Sequence, residues 1–135
     1  MQNLNVLMVE DEPAMRDLLR ATLRKIGLVN ISEAEDGKSA LESYVQKPYD
    51  FVTLDIGLPD MDGLSVMTSM KRLNKQAHIV LVTADDSIES IQKAIAAGAN
   101  GYIVKPYSFE KILDAVNNYM MIHEPDSIIS QHYQP

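Results

Sequence analysis

The chain contains no cysteine, which excludes disulfides and thiolate metal sites. It has no apolar run approaching the ~20 residues of a membrane-spanning helix, and no basic-then-apolar leader pattern at its start. Basic residues are in the minority, 12 against 19 acidic ones, for a net charge of −7. That balance weighs against a broad nucleic-acid surface, where phosphate neutralisation supplies much of the affinity. Internal repeats and low-complexity tracts are missing too. These absences set the expectation of a cytoplasmic protein without membrane or direct nucleic-acid partners.

What remains is ordinary for one globular domain: 135 residues, 46% hydrophobic and 23% charged. Apolar runs and helical patterns alternate five times. The first run is Leu4 to Val9. Pro13 to Ile26 follows, with Met15, Leu18, Leu19, Thr22, Leu23 and Ile26 on one helical face. Pro13 suits a first helical turn and Gly27 a stop. A weak strand near Val29 to Glu33 precedes a short helix over Gly37 to Gln46, whose inward face is Leu41, Tyr44 and Val45. A strand over Asp50 to Leu54 leads to a helix over Gly63 to Leu73, with Val66, Met67, Met70 and Leu73 inward.

His78 to Val82 is the fourth strand. Asp86-Ser87-Ile88-Glu89 has capping-box spacing and opens a helix to about Ala97, which Gly98 can end. Gly101 to Val104 is the last strand. Ser108 caps a last helix facing inward through Phe109, Ile112, Leu113, Val116 and Met120. The tail after His123 lacks helical periodicity and reads as a loosely packed tail or truncated linker, with Ile128 and Ile129 free to dock on the body. The eight methionines read mostly as core packing, and His78, His123 and His132 show no metal-ligand spacing.

Strands that are apolar throughout imply burial on both faces, and strands separated by helices imply right-handed crossovers into a parallel sheet. Five βα units are too few for an eight-fold barrel, which leaves an open three-layer α/β sandwich. In such sheets reactive groups gather beyond the carboxyl ends of the strands. There the sequence places Glu10 and Asp11, then Asp55, Thr83 and Lys105. Singly, each has a structural explanation. Asp11 can favour a helix start through its dipole, Asp55 can cap a turn, Thr83 suits a strand, and Lys105 suits a solvated surface.

Together they suggest chemistry. Two carboxylates about 5 Å apart repel by roughly 3 kcal/mol at an effective dielectric of 20, a penalty that a hard divalent cation such as Mg²⁺ removes. Carboxylates with a metal, a hydroxyl and a lysine make a phosphoryl-transfer site. Asp55, on the central strand, is the best candidate for a nucleophile that becomes an aspartyl phosphate.

Four stretches carry a family resemblance: VLMVEDEP at Val6–Pro13, LDIGLPDMDG at Leu54–Gly63, LVTA at Leu81–Ala84 and AGANGYIVKP at Ala97–Pro106. From about Leu4 to His123 the chain resembles the receiver domain of two-component response regulators, including stand-alone chemotaxis-type receivers. The resemblance implies a flavodoxin-like sheet of order 2-1-3-4-5 with five helices, a receiver over residues 1–123, and a tail at 124–135. It implies that Asp55 is phosphorylated, with Asp11, Asp55 and the Gly57 carbonyl as direct Mg²⁺ ligands and Glu10 acting through metal-bound water. Mn²⁺ could substitute. Thr83 and Lys105 would sense the phosphoryl group, Tyr102 would be the aromatic switch, and the Lys105–Pro106 bond would be cis.

The same resemblance implies a sensor histidine kinase or histidine phosphotransfer protein as donor, and a downstream protein partner or missing output domain as target. The target would meet the face of the fourth helix, fifth strand and fifth helix, in a monomer or a weak phosphorylation-dependent dimer. The molecule would be a signalling receiver rather than a metabolic enzyme. Gly57 and Asp85 would influence phosphoryl lifetime, with a helix cap as the competing role for Asp85. Two other readings stand beside this one: a Mg²⁺-dependent aspartyl-phosphate phosphatase, and an interaction domain that works without phosphorylation. Phosphatases of that kind usually carry a second acid two residues after the nucleophile, where this chain has Gly57.

Overall fold

The strand-forming runs are short, apolar except for the polar-rich Asn30–Ala34, and each is released by a helix stop or turn. In the computed structural model, which describes residues 3–124, this gives β1 (Asn5–Val9), α1 (Pro13–Ile26), β2 (Asn30–Ala34), α2 (Gly37–Gln46) and β3 (Phe51–Asp55). The second half gives α3 (Gly63–Leu73), β4 (His78–Thr83), α4 (Ile88–Ala96), β5 (Gly101–Val104) and α5 (Phe109–His123). The five strands are parallel, in the order β2-β1-β3-β4-β5. Every residue of β3 and β4 is buried, as continuous apolar runs require. The expected tail and the docking of Ile128 and Ile129 lie outside the described residues, as does His132.

The alternation of strand side chains separates two cores. Val6 and Met8 of β1 face one side with Leu19 and Leu23 of α1 and Ile112 and Val116 of α5. Leu7 and Val9 face the other with Tyr44 of α2, Met67 and Met70 of α3, and Ala94 of α4. Burying side chains of this size contributes roughly 1.5–3 kcal/mol each. The result is a three-layer sandwich with β3 at the centre of its sheet.

Local signals fix most boundaries. Pro13 opens α1, and Gly27, at φ 119°, closes it in the left-handed region that glycine tolerates. Ser108 caps α5 by accepting the Lys111 N–H at 3.1 Å. At α4 the capping residue is Ser87, whose side chain accepts the Ser90 N–H at 3.2 Å. The Asp86–Glu89 box therefore does not form, and the helix starts one residue later than that pattern implies.

Several side chains expected to face inward are exposed: Leu18, Val45, Leu73 and Phe109. On α2 the buried face runs through Gly37, Ala40 and Tyr44, and Val45 falls one residue, about 100°, away from it. Tyr119, which the α5 pattern omitted, is buried against Phe51. Met8, Met67, Met70 and Met120 pack in the core, whereas Met61 and Met121 are exposed. Among the described residues, no helix is long and apolar enough to cross a membrane.

Candidate functional site

The carboxyl ends of β1, β3, β4 and β5 meet at one edge because their registers align. Asp55 stands opposite Val82, Thr83 opposite Val104, and the Lys105 N–H donates to the Thr83 carbonyl at 2.7 Å. The chain turns immediately after each strand, so the polar residue closing each apolar run is held by the sheet while its tip reaches the edge. Glu10 is 0% exposed, Asp55 5% and Thr83 7%, so three polar side chains are withheld from bulk water at this place.

Lys105 joins the acids. Its Nζ lies 2.8 Å from Glu10 Oε1 and 3.1 Å from Asp55 Oδ2. The other Asp55 oxygen, Oδ1, accepts the Gly57 N–H at 2.9 Å. Glu10 Oε2 accepts the Glu12 N–H at 3.2 Å. Burial raises the Glu10 carboxyl above its ordinary range, with the Lys105 bond opposing and the nearby Asp55 charge adding to the rise. Burial alone would lower the Lys105 ammonium, but the Glu10 and Asp55 carboxylates outweigh it and the net shift is upward. The Lys105–Pro106 peptide is cis.

Glu10, Asp11 and Asp55 offer oxygen atoms all within 4.8 Å of one another. Three ionised carboxylates against one ammonium leave two negative charges, which a divalent cation would balance. A donor set made only of carboxylate oxygen suits a hard cation such as Mg²⁺ or Mn²⁺ rather than a thiophilic metal. The residues present therefore fit such an ion.

The two remaining positions take up different partners. Thr83 closes β4, but its Oγ1 accepts the Asp85 N–H at 3.1 Å rather than bonding to the acids. Tyr102, half-buried on β5, donates its hydroxyl to the Asp85 carbonyl at 2.7 Å. Both therefore hold the same residue of the β4–α4 loop. The Asp85 carboxylate accepts from the Ser90 hydroxyl and from the Ser87 N–H, and these bonds lower its pKa. Its side chain thus serves the start of α4 and does not reach toward the acids.

The comparisons agree with this geometry. Residues 6–117 match the model of the response regulator receiver domain. The chain belongs to that family. This receiver is 37% identical over 112 residues to the chemotaxis protein CheY of Bacillus subtilis, covering 83% of the chain and 93% of that protein. A solved CheX–CheY–BeF3–Mg²⁺ complex from Borrelia burgdorferi is 30% identical, with a TM-score of 0.81 and 88% of each chain covered. A CheY-like receiver from Methanospirillum hungatei shares the fold at a TM-score of 0.82 and 24% identity, over 90% of this chain and 97% of that one. The molecule is thus a CheY-like receiver domain of two-component signalling.

Sequence reasoning missed two participants. Tyr107, just past the cis bond, donates its hydroxyl to Glu10 Oε1 at 3.0 Å. Burial, and then the Glu10 charge, push its phenol well above the ordinary range, so it stays a donor. Arg16 of α1 donates to the carbonyls of Glu10 at 2.7 Å and Asp11 at 3.2 Å, pinning the β1–α1 loop. The spacing K-P-Y carried a signal for Tyr107, because two side chains two residues apart on one short loop can reach the same acid. Nothing in the helical periodicity marked Arg16 for this role.

Proposed function

We propose that this receiver accepts a phosphoryl group on Asp55 from a phosphohistidine of a sensor kinase or phosphotransfer protein. The observation that carries the reading is Asp55, 5% exposed at the end of the central strand, with Lys105 Nζ 3.1 Å from Oδ2 inside an acidic cluster. An Asp55 oxygen attacks phosphorus and an O–P bond forms. The P–N bond to the donor imidazole breaks, and its electron pair stays on the imidazole nitrogen, which takes up a proton. Water later attacks the same phosphorus, releasing inorganic phosphate and restoring the carboxylate.

Asp11, Asp55, the Gly57 carbonyl and, through water, Glu10 would hold Mg²⁺, with Mn²⁺ as a substitute. When bound, that cation supplies charge neutralisation for the phosphoryl oxygens. Lys105 supplies the second positive charge, and the Thr83 hydroxyl hydrogen-bonds a phosphoryl oxygen. In the present structure Thr83 Oγ1 accepts the Asp85 N–H with a lone pair, which leaves its own proton free for that bond. Tyr102 holds the same loop through the Asp85 carbonyl, so a movement of Thr83 reaches Tyr102 through one residue. The exposed Ile88 and Ile95 of α4 support the α4–β5–α5 face as the surface whose affinity for a protein partner or output domain changes. Moving such a switch from 1:99 to 99:1 takes about 5.5 kcal/mol of preference for one state. The CheX–CheY–BeF3–Mg²⁺ complex of the Borrelia relative supports both the cation and a protein partner.

Incubation with acetyl phosphate and Mg²⁺, followed by intact mass, tests the assignment. One added phosphoryl group is expected on the wild type and none on Asp55→Asn. A chain that stays unlabelled while a known receiver is labelled, or a label that survives in Asp55→Asn, contradicts it.

A further inference from the structure

Two donors share one oxygen of Glu10. Lys105 Nζ lies 2.8 Å from Oε1 and the Tyr107 hydroxyl 3.0 Å from the same atom. Glu10 is 0% exposed, and a carboxylate removed from water keeps its charge only when its oxygens are hydrogen-bonded. Lys105 has a second partner in Asp55 Oδ2, at 3.1 Å. A phosphoryl group on Asp55 would add a second anion for Lys105 to meet and loosen its hold on Glu10. Among the described residues the Tyr107 hydroxyl has no such competing partner. Its ring packs beside the α1–α5 core, a task a phenylalanine would do equally well, so the hydroxyl is left with one evident role.

We infer that Tyr107 is a positioning residue for the phosphorylation site: its hydroxyl fixes the Glu10 carboxyl group beside the cation site, independently of Lys105. The inference rests on the reading of Asp55 as phosphoacceptor and of the three acids as a cation site. It adds a residue that acts through Glu10 and touches neither the phosphoryl group nor the metal.

The test is calorimetric titration of Mg²⁺ into the unphosphorylated full chain, for the wild type, Tyr107→Phe, Glu10→Gln and the double variant. Tyr107→Phe is expected to weaken Mg²⁺ binding roughly tenfold, the low end of the scale of one charge-assisted hydrogen bond. In the Glu10→Gln background the same change is expected to add nothing, because the pair acts as a unit. With acetyl phosphate, Tyr107→Phe is expected to raise the half-saturating Mg²⁺ concentration and to leave the rate at saturating Mg²⁺ near wild type. Wild-type Mg²⁺ affinity in Tyr107→Phe, or equal weakening with and without Glu10, overturns the role of Tyr107 while the phosphoacceptor reading stands. A wild-type chain that neither binds Mg²⁺ nor takes up phosphate overturns the underlying reading itself.

Discussion

A Cβ placed on Gly63 would sit 2.5 Å from the Ile56 Cα and 2.7 Å from the Asp55 carbonyl oxygen. Those atoms are backbone and cannot swing aside. The Gly63 N–H also donates to the Ile56 carbonyl at 3.1 Å, so the start of α3 lies directly against the strand end that carries Asp55. At Gly57, six residues earlier, a Cβ would meet only Asp55 Oδ1, at 3.7 Å, an ordinary contact. Gly63→Ala is therefore expected to destabilise the fold by about 2 kcal/mol, and Gly57→Ala by less than about 0.5 kcal/mol. Urea unfolding of the two variants separates them; equal midpoints would show that the loop relaxes freely around a methyl group. From the sequence both glycines read as loop formers, and only the packing of α3 on β3 tells them apart. The acids and Lys105 were legible because they close apolar runs. The K-P-Y spacing marks Tyr107 only as a neighbour of Lys105; which oxygen it reaches, across a 97-residue separation in the chain, depends on the fold.

Among the helices, α2 shows how far a cap can lie from the element it caps. Asp36 accepts the Ser39 N–H at 2.8 Å, the local arrangement that sequence can suggest. The first two N–H groups, of Gly37 and Lys38, are instead taken by the two carboxylate oxygens of Asp60, at 2.8 and 2.9 Å. These backbone bonds lower the Asp60 carboxyl pKa. Asp60 belongs to the loop between β3 and α3, so the segment leaving Asp55 is tied to the start of α2. Asp60→Ala is expected to lower the melting temperature and to speed hydrogen exchange of the Gly37 and Lys38 amides. Unchanged exchange at both amides would rule out the tether in solution. Periodicity and stop residues gave α1, α2, α3 and β5 their bounds. The remote cap, the start of α4 at Ile88 under a Ser87 cap and the exposed Val45 were beyond them, because each depends on how an element is rotated against its neighbours.

Across the whole molecule the two ends of the sheet carry opposite chemistry. The carboxyl ends hold the charged cluster. At the other end His78, 0% exposed, packs against Phe51 and Tyr119, and its Nδ1 lies 3.2 Å from His123 Nε2. Burial, the His123 ring and the Lys71 ammonium lower the His78 pKa from 6.5 to about 4. The unfolded chain therefore takes up a proton at this residue below pH 6.5, whereas the folded chain resists doing so until about pH 4. Stability from a neutral His78 is fully present above pH 6.5 and falls as pH drops toward 4. Glu10 contributes with the opposite sign: its raised carboxyl makes folding less favourable as pH climbs above 4.5. That contribution is common to wild type and any His78 variant, so their difference isolates the histidine. His78→Phe keeps an aromatic ring beside Phe51 and Tyr119 and leaves the exposed His123 to bond with water. Urea unfolding at pH values from 7 down to 4.5 is expected to show the wild type losing stability relative to His78→Phe as the solution is acidified. Parallel pH profiles for the two proteins would mean that His78 titrates alike in the folded and unfolded chains, and that this end of the sheet does not exclude the proton.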